Sequence, residues 1–296
     1  MIMALTMKVP HPTTMWFPLK RTSLSSYSYP YQKPMKTSLI NLKTNTNASF
    51  TVSAAAQGTN RKLPILLFDI MDTIVRDPFY HDVPAFFGMP MKELLECKHP
   101  TAWIEFEKGM IDEVELARKF FKDGRSFDLE GLKNCMKRGY SYIEGVEELL
   151  HALKQNCYEI HAFTNYPIWY NKVFIFILFI YLYISSEVVI FSLIKFFCRY
   201  KMIEDKLKIS RYLSWTFCSC SSGKRKPDLN FYLEVLNLLK VNPANCIFID
   251  DRLRNVEAAV EVGIIGLHFK NAHLLRQDLS SKGIDILEDK IQEQSS

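Results

Sequence analysis

The sequence predicts an α/β fold in which helices cover both faces of a doubly wound parallel sheet. Short apolar runs that are typical of buried strands alternate with segments whose apolar residues recur at helical spacing. The predicted strands are KLPILLFDI at 62–70, EIHAFTN at 159–165, NCIFIDD at 245–251 and GIIGLHF at 263–269. The predicted helices cover 145–156, 228–241 and 253–263, and the last of them ends on a plausible capping glycine, Gly263.

Polar residues stand at the ends of three of these strands. Asp69 ends the first, Thr164 and Asn165 end the second, and Asp250 and Asp251 end the third. Ligands of open α/β sheets bind at the carboxyl ends of the strands. We therefore expect these side chains to meet at one edge of the sheet.

Residues 78–144 interrupt the alternation of strands and helices. The segments VPAFFGMPMKELLECKH, TAWIEFEKGMIDEVELARKFFKDG and DLEGLKNCMKRGY predict several helices without a strand between them. A helical insert at this point of the chain could serve as a cap over the polar edge of the sheet.

Composition and charge restrict the class of protein. The chain has 296 residues, of which 48% are hydrophobic and 23% charged, enough for a large core. Its seven cysteines contain no C-x-x-C pair, which favours a reducing compartment over a disulfide framework or a zinc site. The first 62 residues hold eight of the 37 Lys and Arg and none of the 32 Asp and Glu, so the rest has a net charge of −3. That balance gives no reason to expect a nucleic-acid partner.

The N-terminal segment predicts a targeting sequence. Residues 1–60 are basic, rich in Ser and Thr and free of acids, and they lack the compact apolar region of a secretory signal. The excess of Ser and Thr over Arg favours a chloroplast transit peptide, with cleavage near 53–56. A merely disordered tail is the alternative.

Four clusters carry the candidate chemistry: Asp69, Thr164, Lys226 in GKRKPDLNFY, and the pair Asp250 and Asp251. Paired carboxylates without His or Cys ligands suit a hard ion such as Mg²⁺. A nearby lysine suits a phosphate, and a strand-end carboxylate beside a metal can attack phosphorus. The alternative for Lys226 is a solvated position in the basic run 224–226.

These clusters resemble the four motifs of the haloacid dehalogenase (HAD) superfamily, in the same order: Asp69-Ile-Met-Asp-Thr73 where the superfamily has an Asp-x-Asp-x-Thr loop, then Thr164, Lys226-Pro227 and Asp250-Asp251. The resemblance implies a Rossmann-like core over 63–77 and 145–285, with a helical cap over 78–144. The segments DIMDTIVRDPFY, VPAFFGMP, WIEFEKG, AFTNYPIWY and SWTFCSC are similar to the plant chloroplast hydrolases of flavin mononucleotide (FMN). That similarity implies Mg²⁺-dependent release of riboflavin and phosphate from FMN, in the chloroplast stroma.

The resemblance also implies a role for each residue. Asp69 would be the nucleophile that forms an aspartyl-phosphate, Thr164 with the Asn165 amide would hold the phosphoryl group, and Lys226 would neutralise its charge. The implied metal ligands are Asp69, the backbone carbonyl of Met71, Asp250 and Asp251, with Asp251 as the main ligand of the acidic pair.

Met71 departs from the superfamily's phosphatase pattern. In that branch an Asp at this position protonates the leaving oxygen, and a thioether has no proton to donate. Asp72 is the nearest candidate for the missing acid, and a residue of the cap or a metal-bound water are others. The alternative for Asp72 is a turn-capping role.

Two aromatic residues follow the second motif directly. Tyr166 and Trp169 are candidates for stacking on an isoalloxazine ring. Packing in the core is the alternative for each of them.

The segment 173–197 is apolar enough to be a transmembrane candidate, with only Glu187 and Lys195 charged. It lies inside the predicted sheet domain, however, where a single crossing would separate the two halves of the sheet. Its residues are largely those of T- and A-rich codons, and Val173 fits a GT donor site. We therefore hypothesise that 172–201 is a retained intron. Its removal would join NYPIWYN to MIEDKLKISRYLSWTF, a helix of ordinary length that leads to the next strand.

The residues alone leave other functions open. The same chemistry would serve a sugar phosphate or another nucleotide. Met71 and the apolar segment are compatible with a non-catalytic protein, and 173–197 alone would support a membrane-anchored one.

The retained-intron hypothesis predicts that the codons for 172–201 are absent from the spliced transcript. We expect reads across the junction to include messages that lack the codons for 172–201. Reads that all contain those codons would refute the hypothesis.

Overall fold

The computed structural model describes residues 61–169 and 200–286. The predicted transit peptide and nearly all of the apolar segment lie outside the described residues. Within the described ranges, no helix is both long and apolar enough to cross a bilayer.

One five-stranded parallel sheet organises the described residues. Its spatial order is β3-β2-β1-β4-β5. The strands are β1 (Ile65–Phe68), β2 (Ile160–Thr164), β3 (Ser214–Cys218), β4 (Cys246–Asp250) and β5 (Ile265–His268). The four runs predicted as strands are confirmed, and β3 follows the helix expected after residue 201.

The central strand β1 pairs with β2 and β4 in a register that brings their carboxyl ends together. Leu66 lies opposite Ile160 on one side and Ile247 on the other. The ladder continues past β1, because the Asp69 amide donates to the Ile249 carbonyl at 2.9 Å. Asp69 is thereby held beside Asp250, the last residue of β4.

The helices between and around the strands are short, and the three predicted outside the insert are confirmed as α7, α10 and α11. The described helices are α1 (Pro78–His81), α2 (Val83–Phe87), α3 (Met91–Cys97), α4 (Ala102–Glu107), α5 (Glu113–Lys119), α6 (Leu129–Gly139), α7 (Val146–Gln155), α8 (Lys201–Leu207), α9 (Ser219–Ser222), α10 (Leu229–Leu239), α11 (Leu253–Glu261) and α12 (Ala272–Ser281). As predicted, Gly263 lies just past the end of α11, with a φ of 87° that glycine adopts without strain.

Helices α1–α6 form the helical insert, residues 78–144, and none of its described residues belongs to a strand of the sheet. Aspartate side chains begin three of these helices. Asp77 accepts from the Phe79 amide, Asp112 from that of Glu115, and Asp128 from that of Gly131. Each cap satisfies a backbone donor that the helix itself leaves unpaired.

The core lies on both faces of the sheet because successive residues of a strand point to opposite sides. Leu66 and Phe68 of β1 pack with the insert, α7 and α12, whereas Ile65 and Leu67 pack with α10 and α11. All four residues are fully buried. This two-sided burial explains why the strand sequences are continuous apolar runs.

Strand β5 approaches helix α11 so closely that a methyl group does not fit at Gly266. A Cβ there would lie 2.6 Å from Val256 Cγ1 and 2.9 Å from Val260 Cγ2. We expect Gly266→Ala to lower the free energy of unfolding by about 1–3 kcal/mol through overpacking, measured by urea denaturation.

A double-mutant cycle tests that cause. Val256→Ala removes the methyl group that the new Cβ would meet, so Gly266→Ala with Val256→Ala should be less destabilised than the two single effects combined. Strict additivity would contradict the packing explanation.

Candidate active site

The predicted polar clusters meet at the carboxyl edge of the sheet, around the ammonium group of Lys226. Lys226 Nζ lies 3.0 Å from Asp69 Oδ1 and 2.6 Å from Asp250 Oδ2, and it donates to the Phe163 carbonyl at 2.7 Å. The Lys226 side chain is 1% exposed. The alternative of a solvated Lys226 is therefore wrong, although its neighbour Lys224 is at the surface and pairs with Glu234.

Backbone contacts hold Lys226 in this position. The Asn165 side chain accepts from the Lys226 amide at 2.9 Å and donates to the Lys226 carbonyl at 3.0 Å. Helix α10 begins three residues later, at Leu229, and its capping residue Asp228 accepts from the Asn230 amide. The Asn165 side-chain amide is thus held in place by the Lys226 backbone, with one of its two N–H groups used there.

Burial and charge together set the ionisation of this cluster. Burial raises the pKa of Asp69, Lys226 opposes that effect, and the charge of Asp250 adds to it. Burial also works against the charged form of Lys226, but the Asp250 and Asp69 carboxylates raise its pKa. The ammonium and its two carboxylates therefore stabilise one another's charges in a site from which water is largely excluded.

Asp250 is fully occupied by donors. Besides Lys226, the Asn255 side-chain nitrogen lies 3.0 and 2.9 Å from its two oxygens, and the Arg252 amide donates to Oδ1 at 2.8 Å. This arrangement suits a residue that positions Lys226, and it agrees with a secondary place for Asp250 in the predicted ligand set.

In the described part of the chain, Asp251 and Thr164, unlike Asp250, each have a side-chain oxygen that accepts and donates no hydrogen bond. Among the described residues, Asp251 Oδ1 and Thr164 Oγ1 are buried atoms without a hydrogen-bond partner. Burial, with the charges of Asp69 and Asp250, raises the pKa of Asp251 to about 7. The Asp251 amide is fixed by the Thr73 hydroxyl at 3.0 Å. Buried polar atoms normally have a partner, so both atoms mark places that a bound group would complete.

The donor set fits a divalent cation. One carboxylate oxygen from each of Asp69, Asp250 and Asp251 can be chosen so that all lie within 4.8 Å of one another. Lys226 neutralises only part of their charge, and oxygen ligands are those that Mg²⁺ prefers. Met71 borders the same space, as expected for a residue whose carbonyl would complete the ligand set.

A cavity with about 500 Å³ of empty space, its open mouth included, lies beside this cluster. Core and insert both contribute to its wall, which consists of Asp69, Met71, Asp77, Trp103, Glu107, Met136, Asn165, Tyr166, Pro167, Trp169, Lys226, Arg252 and Asn255. Tyr166 and Trp169 line it as predicted while also packing in the core, each 2% exposed. Trp169 Nε1 is buried and has no hydrogen-bond partner among the described residues.

Asp72 is not part of this wall. Its Oδ1 accepts from the Asp77 amide at 2.8 Å, and its backbone has a φ of 54° within a tight turn. The structure therefore favours the turn-capping alternative for Asp72 over the role of an acid.

Glu107 of the insert joins the two parts of the protein at the cavity. Its Oε2 pairs with Arg225 Nη2 at 2.7 Å, its Oε1 accepts from Trp103 at 2.9 Å, and its carbonyl accepts from the Ser219 hydroxyl at 2.6 Å. Two residues further on, a Cβ at Gly109 would lie 2.6 Å from the Cys220 carbonyl oxygen.

Sequence reasoning missed Asp77, Glu107, Arg252 and Asn255 as site residues. The Asp77-Pro78 pair is a signal for a helix N-terminus, and nothing in it points to a cavity. Asn255 lies in the first turn of α11, close to Asp250 along the chain, so spacing alone could have suggested it. The same holds for Arg252, which follows Asp251 directly, whereas Glu107 carries no such signal because its position depends on how the insert packs.

Comparison with known proteins gives one family and a similar plant protein. The model of the haloacid dehalogenase-like hydrolase family matches residues 65–263. The chain is 62% identical over 226 residues to flavin mononucleotide hydrolase 1, chloroplastic, of Arabidopsis thaliana, covering 76% of this chain and 80% of that protein. It is also 48% identical over 56 residues to the sesquiterpene phosphatase astK of Aspergillus oryzae, which is 19% of this chain and 29% of that one.

Solved structures with low sequence identity share the fold. A HAD family enzyme of Bacteroides thetaiotaomicron, in complex with magnesium and inorganic phosphate, has a TM-score of 0.50 at 17% identity and covers 73% of this chain and 100% of its own. A predicted HAD-like family hydrolase of Porphyromonas gingivalis has a TM-score of 0.52 at 14% identity, and the match covers 75% of this chain and 98% of that one.

The buried position of Lys226 predicts a large effect on stability. Lys226→Met would leave the Asp69 and Asp250 carboxylates buried without their ammonium partner, and we expect a loss of about 3–5 kcal/mol in the free energy of unfolding. Lys224→Met is the matched control from the same basic run, because exposed ion pairs contribute at most about 1 kcal/mol. Both are measured by urea denaturation in the presence of a chelator. Equal effects of the two substitutions would contradict the burial of Lys226.

Proposed function

We propose that this chain, which belongs to the haloacid dehalogenase-like hydrolase family and is a phosphatase of that family, hydrolyses FMN to riboflavin and phosphate with the help of Mg²⁺. The reaction class is carried by one observation, the cluster of Asp69, Lys226 and Asp251 beside the cavity. The choice of FMN is supported by the 62% identity to a plant protein of that name.

In the proposed reaction Asp69 attacks the phosphorus atom and forms an aspartyl-phosphate, which water then hydrolyses. Asp69 lies on the cavity wall, and the Lys226 ammonium favours its charged form against the effect of burial. Lys226 also offers positive charge to the transferring phosphoryl group. The Thr164 hydroxyl, which is unpaired among the described residues, and the Asn165 backbone N–H would donate to the phosphoryl oxygens.

Mg²⁺ would be held by Asp69, Asp251 and the Met71 carbonyl, with Asp250 behind them. Its charge would polarise the phosphoryl oxygens and offset the repulsion between phosphate and carboxylates. The excess of carboxylates over ammonium groups in the cluster and the unpaired Asp251 Oδ1 support this assignment. A structural neighbour of the same fold binds magnesium and inorganic phosphate.

The cavity wall suits a flat aromatic leaving group. Trp103, Tyr166 and Trp169 supply aromatic surface and Met136 an adaptable apolar side chain. The unpaired Trp169 Nε1 would donate to a ring heteroatom. Because the insert contributes Trp103 and Met136, we propose that residues 78–144 are the cap that selects the substrate.

We propose the chloroplast stroma as the place of this reaction. The basic, acid-free composition of residues 1–60 supports a transit peptide. The similar Arabidopsis protein is named as chloroplastic.

A panel of phosphomonoesters tests the proposal. FMN, a sugar phosphate and a nucleotide are assayed with and without Mg²⁺, on protein with and without residues 172–201. We expect FMN to have the highest kcat/KM, and we expect a chelator to abolish turnover until Mg²⁺ is restored. A sugar phosphate or nucleotide that is hydrolysed faster than FMN would overturn the substrate and leave the reaction class intact.

The nucleophile is tested separately. Asp69→Asn removes the attacking oxygen's charge, and we expect kcat to fall by at least about 10³-fold, as losses of nucleophiles do. Asp112→Asn is the control: Asn can still cap helix α5, and Asp112 does not line the cavity, so kcat should be unchanged. Undiminished turnover by Asp69→Asn would refute the aspartyl-phosphate route.

A further inference from the structure

A phosphate ester with an alcohol leaving group needs a proton for the departing oxygen, and Met71 occupies the position from which such a proton would come. General acid help of this kind is typically worth about 10²–10⁴ in rate. Assigning another donor rests on the proposed function, since only a hydrolase of such esters requires one. The donor must lie on the cavity wall to reach the ester oxygen.

Several polar side chains on that wall are already engaged. Lys226 donates to Asp250 and to the Phe163 carbonyl and forms an ion pair with Asp69. Both Glu107 carboxylate oxygens accept hydrogen bonds, from Arg225 and from Trp103, so a proton on either would displace a donor. The Asn165 side chain is used by the Lys226 backbone.

The Tyr166 hydroxyl is a poor acid for this purpose. It lies 3.1 Å from the Tyr140 hydroxyl in a buried pair. Burial raises the pKa of Tyr166 well above its usual range. A group of that kind releases its proton only reluctantly near neutral pH.

Asp77 differs from all of these. It lines the cavity and is 8% exposed. Its Oδ1 accepts from the Phe79 amide at 2.9 Å and so caps helix α1. Its Oδ2 has no hydrogen-bond partner among the described residues. The cap fixes the carboxyl group and leaves one oxygen available for a proton.

We propose that Asp77 is the general acid and base of the reaction and replaces the donor that Met71 cannot supply. As Asp69 bonds to phosphorus, the bond from phosphorus to the ester oxygen breaks, and the proton on Asp77 Oδ2 passes to that oxygen to give the free alcohol. Asp77 is then a carboxylate. It takes a proton from the water that attacks the aspartyl-phosphate, the bond from phosphorus to Asp69 breaks, and phosphate leaves with Asp69 ionised and Asp77 protonated again.

The surroundings of Asp77 favour the protonated form that this role requires. Burial raises the pKa of Asp77 to about 7, and the charges of Asp72 and Glu107 act in the same direction. The Phe79 amide and Arg252 act against it. The phenols of Tyr140 and Tyr166, which also feel the charge of Asp77, are neutral at this pH. An ordinary aspartate, with a pKa of about 3.9, would be almost wholly ionised at about pH 7.

The test compares two esters that differ in their need for a proton. Asp77→Asn and Asp77→Ser both keep an acceptor for the helix cap, so both should fold, and neither can act as the acid. Asp128→Asn, the same change at the cap of α6 outside the cavity, is the matched control. Each protein is assayed with FMN, an alkyl ester, and with p-nitrophenyl phosphate, whose leaving group needs no proton.

We expect both Asp77 variants to lose about 10²–10⁴-fold in kcat/KM for FMN and only a few-fold for p-nitrophenyl phosphate. The control should match the wild type on both esters. For the wild type, kcat/KM with FMN should fall as pH rises through about 7, because Asp77 then loses its proton. That decline should be absent from the Asp77 variants.

Other results would overturn the assignment. Equal losses on both esters would show that Asp77 is structural, and full activity on FMN would show that it has no role. If the wild type hydrolyses other alkyl phosphates but not FMN, only the proposed substrate falls, and the best of those esters takes its place in the comparison. A wild type that hydrolyses no ester at all overturns the proposed function and the role of Asp77 with it.

Discussion

The geometry of the site depends on one buried ammonium group. Lys226 Nζ contacts a carboxylate after β1, a carbonyl of β2 and a carboxylate at the end of β4, so three neighbouring strands converge on it. Without it, Asp69 and Asp250 would be two buried negative charges side by side, an arrangement that disfavours their ionisation. The desolvation of such a cluster is costly, and the ion pairs of Lys226 with both carboxylates and the hydrogen bonds to Asp250 offset part of that cost. The result is a carboxyl group held beside an ammonium group at the wall of the cavity.

Much of the fold was predictable because strands that are buried on both faces leave a clear trace in a sequence. The inner strands β1, β2 and β4 are fully buried and consist mainly of apolar residues. The edge strand β3 is weaker evidence, since Ser214 and Thr216 are exposed and interrupt its apolar character. The polar strand ends were predictable for the same reason, because parallel strands direct their carboxyl ends to one edge.

The remainder of the site depends on tertiary packing and could not be foreseen. The motif Lys226-Pro227 indicated the right lysine of the basic run 224–226, but the sequence does not show what holds it, which is the Asn165 side chain bound to the Lys226 backbone. Asp72 and Asp77 are both aspartates of one short segment, yet one caps a turn and the other lines the cavity. Their difference arises from the way the helical insert packs over the strand ends, which periodicity does not encode.

The contacts of Glu107 and Gly109 with the core have a consequence for how a ligand enters. The backbone of the insert touches the core at Gly109 and Cys220 with no room for a side chain, and Glu107 adds an ion pair and a hydrogen bond across the same junction. A hinge motion that swings α4 away would have to break all three contacts at once. Any exchange of substrate and product that uses such an opening would therefore carry the combined cost of these contacts.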